Sequence, residues 1–188
     1  MATDLWQEIA WHYGEKGRYY HTLAHLEHLL GELAPYQRLL ADPDAVLFAL
    51  FYHDLIYRPT RPDNEEKSAA RAGARLRELG VPAPIIARCE AHILATRHGD
   101  GEVERDTALF TDADLSILGA EPAAYFAYAE KVRKEYGIFP DLIYKPGRRK
   151  VLKHFLVRRR IFRTDEFADQ YEAAARRNLE QELAMLQP

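Results

Sequence analysis

Apolar positions recur every three to four residues along most of this chain, and no strand-like alternation persists. The pattern predicts an all-α fold. Thr3 or Asp4 would cap a first helix ending near Tyr13. A second helix runs from about His21 to Leu33 and stops before Pro35. The third covers about Asp44 to Tyr57 and is ended by the RPTRP segment from Arg58 to Pro62. Asp63 caps a fourth, which reaches Leu79 with Gly80 as its C-terminal stop. A fifth spans about Pro84 to Thr96, and HGDGE, from His98, reads as a loop. A short helix is expected over Asp112 to Leu118, then longer ones over Pro122 to Tyr136, Pro146 to Phe162 and Asp165 to Leu186. There is no internal repeat, low-complexity tract or evident linker. A single helical domain over residues 1–188 is expected, with 164–188 as a C-terminal helix packing on it.

Composition narrows the class of protein. A hydrophobic fraction of 47% fits a globular chain and excludes a disordered one. The single cysteine, Cys89, excludes an internal disulfide and a four-cysteine zinc site. The N-terminus carries an early acid and lacks the basic-then-apolar layout of a signal peptide. No apolar stretch reaches the ~18 residues of a membrane span. A cytoplasmic location without membrane partners is the expectation. Net charge is −3, so no global field favours nucleic acid.

The segment Ala45 to Tyr57, AVLFALFYHDLIY, is apolar or aromatic at eleven of thirteen positions. The two exceptions are adjacent, His53 and Asp54. Burying them is costly unless something pairs with them. A divalent ion would serve, since imidazole suits Zn, Fe, Ni or Mn and carboxylate suits harder cations. A hydrogen-bonded His–Asp pair would also serve.

Two further polar groups sit in apolar surroundings. In YYHTLAHLEHLL, His21, His25 and His28 are spaced by four and three, and fall within roughly 60° of one another on a helix. That face could be merely solvated, but His25 lies nearest the apolar edge. In ALFTDADLSIL, Asp112 and Asp114 are two apart and point to different faces. An N-cap role would explain Thr111 or Asp112 well and Asp114 poorly, so Asp114 is the better ligand candidate.

A histidine on one helix, a His-Asp dipeptide on the next and a distant aspartate together resemble the HD-domain metal-dependent phosphohydrolase superfamily. Y-H-x-x-x-H at Tyr20 to His25 is similar to the opening motif of cyclic-nucleotide phosphodiesterases. NEEKSA (Asn64 to Ala69), KEY (Lys134 to Tyr136) and GRRKVL (Gly147 to Leu152) resemble a small bacterial branch of predicted HD phosphohydrolases. The resemblance implies an HD-type helical bundle in which His25, His53, Asp54 and Asp114 bind a divalent ion (Mn, Mg, Zn, Fe, Ni or Co). Asp54 would bridge to a second ion if two are held. His92 and His98 resemble the extra ligands of two-metal members, and Glu65 and Glu66 are further candidates that read equally well as a solvated helix start.

The activity so implied is hydrolysis of a small phosphorylated molecule, with nucleotides foremost, by metal-activated water. His21 is suited to protonate the leaving oxygen, and Asp54 joins it in the catalytic set. Lys145 to Arg163 holds nine Lys or Arg and no acid. Arg148, in helical register with Leu152 and Phe155, is the one drawn inward, either to hold phosphate or to form a structural salt bridge. The competing readings are an HD-fold diiron oxygenase, which needs His92 and His98 to converge, and a non-catalytic nucleotide-binding module. A nucleic-acid module is disfavoured because the basic stretch lacks interleaved aromatics. A homo-oligomer is left open.

Overall fold

The computed structural model describes residues 2–97, 99 and 101–186. Among them there are nine α-helices and no strand: α1 (Ala2–Tyr13), α2 (Leu23–Leu33), α3 (Pro43–Tyr52), α4 (Asn64–Glu78), α5 (Ala83–Ala95), α6 (Arg105–Leu115), α7 (Pro122–Glu135), α8 (Asp141–Leu156) and α9 (Asp165–Met185). Short 3₁₀ turns follow α2 (Ala34–Leu39) and α6 (Ser116–Gly119). The all-α expectation holds. No described helix is long and apolar enough to cross a membrane.

The chain packs as two compact units, Met1–Asp114 and Leu115–Pro188. In the first unit, α3 packs against α2, α4 and α5, and α4 lies along α5. Val46, Ala49, Leu50, Leu76, Ile93 and Leu109 are fully buried there. Apolar on nearly all sides, α3 fits the centre of this unit. Its N-terminus is anchored twice. The Asp42 side chain caps it by accepting from the Ala45 amide at 3.2 Å. The Asp106 carboxylate, from α6, accepts from the amides of Ala41 (3.0 Å) and Asp42 (2.8 Å). Burial works to raise the Asp42 pKa, but its bonds to Arg88 and the Ala45 amide outweigh this and leave it lowered.

In the second unit, α9 packs on α8 and on the 3₁₀ turn Ser116–Gly119. A Cβ on Gly119 would lie 2.6 Å from Cβ of Tyr171, so only glycine allows this approach. Asn178 ties the turn down by donating to the carbonyls of Leu118 (2.9 Å) and Ala120 (2.8 Å).

Several element boundaries differ from expectation: α8 starts at Asp141 and ends at Leu156 rather than running from Pro146 to Phe162, and three other differences bear on the site. α2 begins at Leu23, with Thr22 in the extended conformation before it, so His21 precedes the helix. α3 ends at Tyr52, so His53 is its C-cap and Asp54 lies in the turn beyond. Thr111 and Asp112 are interior to α6 rather than at a helix start.

Candidate metal centre

Three separated segments bring four ligand-type side chains together. His25 comes from α2, His53 and Asp54 from the end of α3, and Asp114 from the last turn of α6. His53 Nε2 lies 3.1 Å from His25 Nε2 and 3.1 Å from Asp54 Oδ2. His25 Nε2 is 3.8 Å from Asp54 Oδ2. Asp114 Oδ1 lies beside them, 3.3 Å from His25 Nε2 and 3.8 Å from His53 Nε2. Both histidines are buried, while the two aspartates keep 15–19% side-chain exposure.

Chain geometry explains how adjacent residues converge. Within a helix, neighbouring side chains diverge by about 100°. At the end of α3 the backbone leaves the helix, which frees Asp54 to turn its carboxylate onto the His53 ring. The Asp54 amide is held by donating to the Tyr13 hydroxyl at 3.3 Å. The His53 ring is fixed by its Nδ1–H donating to the Leu50 carbonyl at 2.9 Å. That bond leaves the Nε2 lone pair of neutral His53 facing the other donors, the usual outer-shell arrangement of a metal-binding imidazole.

The charges are mutually dependent. Burial acts to lower the His53 pKa, but the Asp54 and Asp114 carboxylates and the Leu50 carbonyl outweigh it and raise the ring to about 9. Burial likewise acts to raise Asp54, but the adjacent His53 and His21 rings hold it well below the usual carboxylate range. Burial dominates at His25, whose pKa is lowered despite Asp114 beside it. Without a cation, the raised pKa of His53 favours its protonated ring beside Asp54 and Asp114.

His25, His53 and Asp54 offer ligand atoms within 4.8 Å of one another and could hold a metal ion. The donor types of this trio suit a divalent cation, since two imidazoles with a carboxylate fit borderline and harder divalent ions alike.

The other sequence candidates lie at the edge of this cluster or away from it. His21 Nε2 is 3.7 Å from Asp54 Oδ2, with 18% side-chain exposure, and its ring lies tilted against Tyr57 at 4.2 Å between centroids. It thus borders the cluster from the segment before α2. His92 is not in the cluster: its Nδ1 pairs with Thr107 Oγ1 at 2.8 Å, and its ring centroid lies 6.3 Å from that of Phe110, whose other neighbour is His53. His98 lies outside the described residues. Glu65 and Glu66 pair with Arg97. Arg148 is buried in a two-pronged ion pair with Glu182, Nε to Oε1 at 2.7 Å and Nη2 to Oε2 at 2.9 Å. Of the two roles open to Arg148, the structural salt bridge accounts for it, and a phosphate-holding role is not retained. Sequence reasoning misses Tyr13 and Tyr57, because single tyrosines in an aromatic-rich chain carry no pattern of their own.

Compared with known proteins, the chain matches no family model, no curated protein and no solved structure.

Proposed function

We propose that this protein is a metal-dependent phosphohydrolase of the HD type, acting on a small phosphorylated molecule. The observation that carries this reading is the convergence of His25, His53, Asp54 and Asp114 with His21 at their edge. The first four would hold a divalent ion. When bound, that ion would supply Lewis acidity for the phosphoryl oxygens and would lower the pKa of water. His21 is not required for holding the ion. Its ring stands against Tyr57, with Nε2 3.7 Å from Asp54 Oδ2. As water oxygen bonds to phosphorus, giving up one proton to solvent, and the P–O bond to the leaving group breaks, His21 would give its proton to the departing oxygen. The similarity of Y-H-x-x-x-H to cyclic-nucleotide phosphodiesterases puts nucleotides first among substrates.

The test is an activity screen over nucleotides and phosphate esters, with Mn, Mg, Zn, Fe, Ni or Co supplied in turn and the metal content of the purified protein determined. Phosphate release dependent on one of these ions is the expected result. Iron-dependent oxygen consumption without phosphate release would point instead to the oxygenase. Ligand binding without turnover under any ion would point to a nucleotide-sensing module.

A further inference from the structure

We infer that Arg18 is a positioning residue of the metal centre, fixing the turn that presents Asp54 and tying it to the segment that carries His21. The inference rests on the metal-binding reading of the cluster. Arg18 is 9% exposed, although its KGRYY surroundings have the composition of a surface turn. Its guanidinium reaches three backbone carbonyls. Nη1 donates to Asp54 O at 2.7 Å and to His21 O at 3.3 Å, and Nη2 donates to Leu55 O at 2.7 Å. The guanidinium carbon stands 5.1 Å from the Tyr13 ring centroid and 5.5 Å from that of Tyr57. Tyr13 is the residue that receives the Asp54 amide, and Tyr57 is the ring against which His21 lies.

The chemistry of this contact is specific to arginine. α3 ends at Tyr52, so carbonyls beyond its last turn lack amide partners from a continuing helix. A planar fork can satisfy adjacent carbonyls with separate N–H groups while lying against two aromatic rings. A cation there also complements the negative end of α3. Lysine offers one point charge and cannot reproduce the fork. Gly17, at φ +101°, supplies the left-handed turn immediately before Arg18. The ion-binding atoms are not touched by Arg18. Its effect runs through the backbone on both sides of the Asp54 side chain, as an outer-shell residue acts on a ligand.

The experiment titrates Co²⁺ into wild-type, Arg18→Lys and Arg18→Ala protein, reading affinity by chelator competition and ligand geometry by the visible absorption of bound cobalt. Thermal unfolding of the metal-free proteins is recorded alongside. Arg18→Lys is expected to bind Co²⁺ about 10–100-fold more weakly, with an altered cobalt spectrum. In Arg18→Ala, free guanidinium at concentrations well below those that unfold the protein should recover affinity and spectrum, and methylammonium should not. If Arg18→Lys loses thermal stability but keeps wild-type affinity and spectrum, the residue is merely structural and the inference falls. If Arg18→Lys does not fold, Arg18→Ala decides alone: guanidinium that restores folding without restoring affinity overturns the inference too. Wild-type protein that takes up no Co²⁺ would instead overturn the metal centre itself, and the Arg18 assignment with it.

Discussion

His53 faces His25 with Nε2 atoms 3.1 Å apart, while its Nδ1 is committed to the Leu50 carbonyl. Neutral His53 therefore presents a lone pair to the cluster, and its raised pKa favours a proton there in the metal-free protein. A divalent ion and that proton compete for the same place.

Metal uptake should therefore release a proton. His53 is raised to about 9 and is protonated in the metal-free protein at pH 7.5, whereas His25 is lowered and already neutral. Calorimetric titration in buffers of different ionisation enthalpy should give about one proton released per ion at pH 7.5, declining above pH 9. Release of none at pH 7.5 would mean that His53 is not a ligand or is not protonated.

Stability of the metal-free protein should follow the same groups. His53 has a folded pKa above its ordinary 6.5, so its contribution is complete below pH 6.5 and is lost as pH rises through 9. Asp54 has a depressed pKa, so its contribution is present above about pH 4 and is lost on acidification below it. Urea unfolding with chelator present should thus weaken between pH 6.5 and 9. With saturating divalent ion that weakening should disappear, because binding tightens as His53 deprotonates. Parallel pH profiles with and without metal would count against the coupling.

Asp54→Ala should cost both metal and stability. It removes the closest anion to His53 and leaves the imidazolium buried; losing one member of a buried charged pair typically costs ~3–5 kcal/mol. Asp54→Ala protein that retains tightly bound metal would refute the ligand assignment.

His21→Ala separates the proposed chemistry from metal binding. The variant should keep its fold and its ion and lose roughly 10²–10⁴ in rate. The loss should shrink for an activated phenol ester, whose leaving group needs no proton. Equal losses for good and poor leaving groups would assign His21 to substrate positioning.

Arg148→Met tests the other candidate role of that arginine. The pair with Glu182 is buried at both ends, and Tyr125 also donates its hydroxyl to that carboxylate. The substitution should lower unfolding free energy by ~3–5 kcal/mol and leave the KM for any phosphorylated substrate unchanged. A raised KM with unchanged stability would return Arg148 to substrate binding.

Much of this cluster is legible in the amino-acid sequence. A His-Asp pair inside an apolar run, a histidine at the apolar edge of α2 and an aspartate poorly explained as a cap all belong to it. The end of α3 is not legible, because Leu55, Ile56 and Tyr57 continue the apolar run and periodicity cannot see a turn inside it. The start of α6 escapes for the opposite reason: the capping preference of Thr111 and Asp112 obscures the turns before them. Arg18 leaves no trace in the sequence, since its partners are backbone carbonyls, two of them 36 and 37 residues away. Burial of Arg148 follows from its register with Leu152 and Phe155, but its partner Glu182 lies on α9, beyond local pattern.

The most direct test of the metal centre is an anomalous-difference map from crystals grown with Mn²⁺ or Zn²⁺. A peak within coordination distance of His25 Nε2, His53 Nε2, Asp54 and Asp114 is the predicted result. An empty cluster at saturating metal, with His25 and His53 still in hydrogen-bond contact, would contradict it.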